Sequence, residues 1–115
     1  VIFSCLYFVP DTVDDAQTPI ERDFLAAYEK DYNELPVSEV AYRAYDAMNI
    51  LAEAIEKANS TNGDDIRNAI LTNKFEGIAG TFDFSDESGD GILAGNTFIN
   101  DEGKTIMLDD YLAKE

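Results

Sequence analysis

The fold is decided by residues 18–58, because they encode two consecutive amphipathic helices; their sequence is TPIERDFLAAYEKDYNELPVSEVAYRAYDAMNILAEAIEKA. Thr18 and Glu21 have the spacing of a capping box, and Pro19 stands at the first helical position, so the first helix begins here. Its apolar residues recur at helical spacing and form one stripe: Ile20, Phe24, Ala27, Tyr28 and Tyr32. Such a stripe indicates core packing rather than a cofactor site, and Pro36 ends the segment.

The second helix is predicted over residues 38–58, with Ser38 as its cap. Its apolar stripe consists of Val40, Ala41, Ala44, Tyr45, Met48, Leu51, Ala52 and Ile55, widened by Ala47, Ile50 and Ala54. A helix that is apolar around so much of its circumference is expected to lie between layers, close to a sheet. The residues left for its solvent side are Arg43, Asp46, Asn49, Glu53, Glu56 and Lys57.

The whole chain is predicted to be α/β, with the element order β-α-α-α-β-β-β. The continuous apolar run Val1–Val9 predicts a first strand buried on both faces. Asn62-Gly63 is a turn, and Asp64 is expected to cap a short third helix. Gly77–Gly80 is interpreted as a turn, and Asn100–Gly103 is typical of a hairpin. The remaining strands are predicted at Thr81–Phe84, Ile92–Ile99 and Thr105–Leu108.

Composition excludes several classes of function. The net charge of −16, from 24 acidic and 8 basic residues, repels phosphate backbones and anionic membranes, so nucleic acid is not expected as a partner. The chain has no histidine, so its serines and its single cysteine lack the commonest general base. We therefore expect no enzyme, no catalytic residue, no cofactor and no metal. Cys5 is expected to be a buried, inert thiol.

One acidic turn, Asp86–Gly91, imitates the start of an EF-hand calcium loop. Its acids stand at the first and fifth places and its glycine at the sixth, but the twelfth place is Thr97 rather than a glutamate. A solvated turn is the preferred interpretation, and a calcium-binding or protein-interaction module is kept as the alternative.

The ordered motifs of this chain resemble the carboxy-terminal third of one family, the type I periplasmic solute-binding proteins of branched-chain amino acid ABC transporters. The motifs that carry the resemblance are Tyr7-Phe8-Val9-Pro10, the Phe24, Tyr28 and Tyr32 series, Ala44-Tyr45-Asp46-Ala47, Leu51–Ile55, Thr61–Asp64, Ile66–Ile70, Phe75–Gly80 and Phe82-Asp83-Phe84. No single motif is diagnostic, but their order along the whole chain is specific.

The resemblance implies a fragment of a two-lobed fold that closes over a small ligand. Residues 1–10 would be a crossing strand and hinge, residues 11–87 part of lobe I, and residues 88–115 the return to lobe II. The start of the chain carries neither the positive region nor the cleavage site of a signal peptide, and a doubly buried strand needs further neighbours. We therefore expect this chain to be part of a larger protein, with an incomplete site.

The resemblance also implies a site and partners. Val40, Ala41 and Tyr42, at the start of the long helix, would contact the ligand, and Tyr7 and Phe8 would form the hinge; core packing is the competing interpretation for each. The partners would be an amino acid or similar solute and the membrane permease of an ABC transporter. The location would be periplasmic or extracellular, as a lipoprotein in a Gram-positive host.

Two further hypotheses remain at this stage. The same fold serves ligand-sensing receptors, which regulate signalling or expression instead of transport. A lone fragment would also leave apolar strand edges and helix faces uncovered, so self-association or a strand-exchanged dimer is expected.

Overall fold

The computed structural model describes residues 1–78, 80–92 and 95–114, and it confirms the α/β class. The described residues form the strands β1 Ile2–Cys5, β2 Lys74–Gly77, β3 Gly80–Asp83, β4 Asn96–Asp101 and β5 Lys104–Met107. They form the helices α1 Pro19–Tyr32, α2 Val40–Ala58, α3 Gly63–Thr72 and α4 Leu108–Leu112, with a short 3-10 turn at Val13–Asp15. Strand β2 and helix α4 are additions to the predicted order.

The strands form two antiparallel sheets. One sheet has the order β1-β4-β5, and its β4–β5 hairpin turns at Glu102 and Gly103, whose φ values of 50° and 83° are those of a type I′ turn. The predicted hairpin at residues 100–103 is thus confirmed. The other sheet pairs β2 with β3, with Gly77 opposite Gly80, so the predicted turn at 77–80 joins two strands.

The prediction of a doubly buried strand over residues 1–9 is wrong. Only Ile2–Cys5 is a strand; it pairs with β4, and its residues alternate between exposed and half-buried. The chain then leaves the sheet, and Tyr7 is buried against the helices instead. Cys5 is half-buried rather than buried, and burial raises the pKa of its thiol. The strand predicted from Ile92 begins only at Asn96, and Leu93 and Ala94 lie outside the described residues.

Local capping explains where the helices begin. Thr18 Oγ1 accepts a hydrogen bond from Glu21 N at 3.2 Å, while Glu21 Oε1 accepts from Gln17 N, one residue before the cap, at 2.7 Å. Helix α3 is capped by Asn62, not by Asp64 as predicted, because Asn62 Oδ1 accepts from Asp64 N.

The core consists of two groups of side chains joined by α2. We call the first the helix–hairpin cluster; it contains Ile50, Ala54, Ala69, Phe75 and Phe82. We call the second the junction cluster; it contains Tyr7, Leu25, Tyr42 and Ile78. Because α2 contributes to both, it is the element that fixes their relative positions.

Helix α2 is covered on one side only, in contrast to the prediction that it lies between layers. Its buried residues are Tyr42, Asp46, Ile50 and Ala54, four positions apart, whereas Val40 is 63% and Met48 66% exposed. Asp46 therefore belongs to the buried stripe, not to the solvent side. The reason is that α3, β2 and the Phe24 side of α1 pack around the Tyr42–Ala54 stripe, whereas Val40, Met48 and Leu51 stay exposed.

The chain is elongated. Its radius of gyration is 16.2 Å, against about 13 Å for a compact domain of this length. Its accessible surface of 7651 Å² exceeds the roughly 6,200 Å² expected for a compact protein of this mass. Much apolar surface, including that of α2, therefore stays uncovered. No helix in the described part of the chain is long and apolar enough to cross a membrane.

Gly77→Ala is expected to destabilise the protein. A Cβ atom at Gly77 would lie 2.7 Å from Phe82 Cε2 and 2.8 Å from Asp46 Oδ1, so the buried carboxylate and the ring must shift. Overpacking of this kind costs about 1–3 kcal/mol, measured as the free energy of unfolding in urea. Gly63→Ala is the control, since no atom lies within 4 Å of its Cβ position. Equal midpoints for both variants would contradict the packing described here.

Candidate functional site

A cavity of about 700 Å³ lies between the junction cluster and the β4–β5 hairpin. This volume is within the range of small-molecule sites. From the first half of the chain its lining includes Leu6, Tyr7, Phe8, Glu21 and Tyr42. From the second half it includes Ile78, Phe98, Lys104 and Met107. The site is therefore assembled by tertiary packing from distant segments.

Aromatic rings form much of the apolar lining. Phe8 and Phe98 have ring centroids 5.2 Å apart, which connects the segment after β1 to strand β4. Tyr7 and Tyr42 meet edge to face at 6.0 Å. Such contacts hold the rings in defined orientations. The cavity consequently offers a rigid apolar surface to the body of a ligand.

Asp46 is a buried carboxylate beside this cavity that accepts hydrogen bonds from two protein donors. Its side chain is 3% exposed, and Tyr7 Oη donates to Oδ2 at 3.0 Å. The backbone N–H of Ile78 donates to Oδ1 at 2.9 Å and to Oδ2 at 3.1 Å. Burial, followed by the nearby Asp46 carboxylate, raises the pKa of Tyr7, so its hydroxyl remains a donor. The carboxylate thereby ties α2 to two loops that line the cavity.

Glu21 and Tyr42 form a second buried polar pair, which is poorly satisfied. Glu21 is 6% exposed and accepts one protein hydrogen bond, from Gln17 N. Tyr42 is fully buried, and its Oη has no partner of hydrogen-bonding distance and angle among the described residues. Burial raises the pKa of Glu21, an effect partly offset by Gln17 N and by the adjacent Tyr42 hydroxyl; burial and then the adjacent Glu21 carboxylate raise the pKa of Tyr42. The hydroxyl and the carboxylate are thus neighbours in the wall of the cavity.

The charged residues of the lining are mainly acidic. They are Asp11, Asp14, Asp15, Glu21 and Asp110, together with Lys104 and Lys114. Lys104 Nζ pairs with Asp15 Oδ1 at 3.1 Å, and the hydroxyl of Thr12, followed by this lysine, lowers the pKa of Asp15. This ion pair is exposed and contributes little to stability. The pair neutralises one lysine and one aspartate, and the remaining lining residues still carry an excess of negative charge.

The five residues predicted to contact ligand or form the hinge are divided by the structure. Tyr7, Phe8 and Tyr42 line the cavity, whereas Val40 and Ala41 do not. Val40 lies on the uncovered face of α2, and Ala41 is half-buried. Their roles toward a ligand stay predictions.

Two buried carboxylates were missed by sequence reasoning. Asp46 follows Tyr42 by four positions and precedes Ile50 by four, so its place in the buried stripe was visible in the spacing. Glu21 was interpreted only as a capping residue, because nothing local indicates that a cavity wall covers it.

The EF-hand-like segment 86–91 consists of turns. Asp86 Oδ1 accepts from Ser88 N at 2.9 Å, and Ser88 Oγ accepts from Asp90 N at 3.2 Å. A strand follows, not a helix. Within residues 1–78, 80–92 and 95–114, no group of three or more acidic or cysteine side chains is placed to hold a metal ion.

Two tyrosine substitutions are expected to have different effects on stability. Tyr7→Phe removes a donor to a buried carboxylate and should lower the free energy of unfolding by about 1.5–3 kcal/mol. Tyr42→Phe removes a hydroxyl that lies beside the Glu21 carboxylate without full hydrogen-bonding geometry, so stability should fall less than in Tyr7→Phe or not at all. Urea unfolding of both variants at pH 7 measures the difference. A large loss in Tyr42→Phe would show that its hydroxyl is bonded in the folded protein.

Glu21→Gln should raise stability at pH 7. Because the folded-state pKa of Glu21 lies above its ordinary value of 4.5, stability linked to its protonated form is present below about pH 4.5. That stability is lost as the pH rises through the folded-state pKa. The advantage of Glu21→Gln over wild type should therefore shrink as the pH falls toward 4.5. Glu29→Gln, an exposed change on the same helix, controls for the net charge; an equal gain there would contradict this assignment.

Comparison with known proteins identifies relatives. Residues 3–99 match the family model described as periplasmic binding protein. The leucine binding protein LivK from Thermotoga maritima MSB8 is similar in structure, with a TM-score of 0.65 and 27% identity over 96% of this chain and 31% of that protein. A search of curated proteins finds no match.

A solute binding protein of an ABC transporter from Rhodopseudomonas palustris BisB5, in complex with 3,4-dihydroxy benzoic acid, shares the fold, with a TM-score of 0.69. It is 21% identical over 91% of this chain and 28% of its own length. The chain thus spans about a third of the length of these proteins. Since the family model covers most of the 115 residues, the chain belongs to the periplasmic binding protein family.

Proposed function

We propose that this chain contributes to the extracytoplasmic solute-binding component of an ABC importer, which binds an amino acid or a similar small solute. The observation that carries the proposal is the cavity of about 700 Å³, lined by Tyr7, Phe8 and Tyr42, in a chain of the periplasmic binding protein family. The two solved relatives are a leucine binding protein and a solute binding protein in complex with 3,4-dihydroxy benzoic acid.

The proposed division into lobes follows the two parts that line the cavity. Residues 1–10 would act as a hinge, residues 11–87 would belong to lobe I, and residues 88–115 would return to lobe II. In support, the three-stranded sheet with α4 and the helical part are separate packing units, and the chain leaves the sheet through Leu6–Pro10. The cavity lies where these units meet.

Ligand contacts would be divided in the same way. Tyr7 and Phe8 would pack on the solute at the hinge, and Tyr42 would pack on it from α2. Two of the predicted contact residues, Val40 and Ala41, lie outside the cavity. They would contact the solute only together with parts of the protein that this chain does not contain. This is consistent with a chain that spans about a third of its relatives' length.

The mechanism would be a shift of population without chemistry. Solute contacts made only in the closed form would favour closure, and the closed form would be presented to the permease in the membrane. The protein would release its solute unchanged, so we propose no enzymatic role and no cofactor. It would act in the periplasm or outside the cell, and in a Gram-positive host it would be anchored as a lipoprotein.

A strand-exchanged dimer is proposed only for the isolated 115-residue chain.

The first test is the intact mass of the gene product in its native host, followed by a ligand screen. We expect a product about three times the length of this chain, as its coverage of the relatives suggests. Its thermal stability should rise with L-leucine or with 3,4-dihydroxybenzoate, because a ligand of the folded state stabilises it. A native product that begins at Val1 and binds no small solute would overturn the proposal.

A further inference from the structure

We propose that Asn62 is a site of spontaneous deamidation whose two products act differently on helix α3: aspartate keeps the cap of the helix, and isoaspartate removes it. The reaction uses no enzyme and no reactant other than water. It is independent of the function proposed above, because it depends only on the backbone and side chains around the start of α3.

The reaction begins at the peptide nitrogen that follows the asparagine. The backbone nitrogen of Gly63 attacks Cγ of Asn62, an N–C bond forms, and the side-chain amide leaves as ammonia with the proton of the Gly63 N–H. Water then opens the resulting cyclic imide. Cleavage of the bond between Cγ and the Gly63 nitrogen gives aspartate, whereas cleavage at the main-chain carbonyl gives isoaspartate, in which the chain continues through Cβ and Cγ.

The residue that follows Asn62 makes it the favoured site. Gly63 has no side chain, so nothing hinders attack by its nitrogen, and its backbone has the widest range of conformations. The other asparagines of the chain are all followed by a residue with a side chain; they are Asn33, Asn49, Asn59, Asn68, Asn73, Asn96 and Asn100. The sequence therefore separates Asn62 from every other asparagine of the chain.

The surroundings of Asn62 and Gly63 are open to solvent. Both residues are exposed, and in the described part of the chain no atom lies within 4 Å of the Cβ position of Gly63. Gly63 is also the first residue of α3, and the first N–H groups of a helix have no acceptor within the helix. Water therefore reaches the site, and the helix does not hold the attacking nitrogen.

The cap restrains the reaction in the folded protein. Asn62 Oδ1 accepts hydrogen bonds from Asp64 N at 3.0 Å and from Asp65 N at 3.4 Å. Attack on Cγ turns the amide out of the orientation that these bonds impose, so the first turn of α3 must open first. Helix ends open at low cost, so the folded chain reacts, but more slowly than the unfolded chain.

The two products leave different groups at the cap. Aspartate keeps an oxygen in the place of Oδ1, and its charge is favourable at a helix N-terminus but is opposed by Asp64 and Asp65, so the stability should stay close to that of the original protein. Isoaspartate lengthens the backbone by one carbon and moves the carboxylate to Cα, so the acceptor is lost from the end of the helix.

Loss of the cap affects the core of the protein. Ala69 of α3 belongs to the helix–hairpin cluster, and Ile66, in the first turns of the same helix, packs against it. Opening the start of α3 exposes Ile66 and weakens the contact between α3 and α2. Isoaspartate at position 62 should therefore lower the midpoint of urea unfolding.

The test ages the native gene product in neutral buffer and follows the tryptic peptide of residues 58–67 by mass spectrometry. This peptide contains Asn62 and one internal control, Asn59, which is exposed but precedes a serine. We expect Asn62 to lose its amide at least about 10-fold faster than Asn59. Unfolding in urea should accelerate the reaction about 5-fold, as expected for release of a cap of ordinary strength.

Three variants separate the chemistry from the effect on the helix. Gly63→Ala, which meets no described atom within 4 Å, should slow deamidation of Asn62 about 10-fold or more. Asn62→Asp, which is the aspartate product, should unfold at nearly the wild-type urea concentration. Asn62→Ala, which has no acceptor, should unfold at a lower concentration, and the purified isoaspartate form should resemble it.

Contrary outcomes are defined for each part of the proposal. If Asn62 deamidates no faster than Asn59, or equally fast in Gly63→Ala, Asn62 is not the favoured site and the proposal is overturned. If the isoaspartate form unfolds at the same urea concentration as wild type, the proposed loss of the cap is overturned.

Discussion

The buried carboxylate of Asp46 is the interaction on which the remaining structure depends. It receives the hydroxyl of Tyr7 and the backbone N–H of Ile78, so one side chain of α2 fixes the segment after β1 and the turn between β2 and β3. These two segments are 71 residues apart in sequence and both line the cavity. Gly77 is required at the same place because its missing side chain makes room for the carboxylate. The wall of the cavity is thus set by a hydrogen-bonded charge rather than by apolar packing alone.

The two buried acids of this chain show how burial separates structural from functional groups. Asp46 has the donors that a buried carboxylate needs, and removing one of them should cost stability. Glu21 accepts from Gln17 N and lies beside the Tyr42 hydroxyl, and burial raises its pKa, so its charge is less favoured in the folded state than in water. A buried charged group that lines a cavity and lowers the stability of the protein is a candidate for ligand binding. A buried charged group whose hydrogen bonds are all made within the protein is a candidate for a structural role.

The uncovered face of α2 explains the shape of the molecule. Its apolar residues run around most of the helix, yet α1, α3 and β2 leave one side of it open, and Val40 and Met48 stay exposed. The excess of accessible surface over that of a compact protein has the same origin. The sequence pattern of α2 is therefore that of a helix with two covered faces, of which this chain covers one.

Sequence alone determined the elements whose signals are local. The capping of α1 by Thr18, the helical spacing of α2 and the glycine turn of the β4–β5 hairpin were all predictable, because each depends on neighbours within a few residues. The motif order also identified the family. Tertiary structure decided the rest: that Val1–Val9 is only partly a strand, that Asp46 and Glu21 are buried, and that Tyr7, Phe8 and Tyr42 share a cavity. The physical reason is that burial and hydrogen-bond partners depend on which distant segments meet, and spacing along a chain does not contain that information.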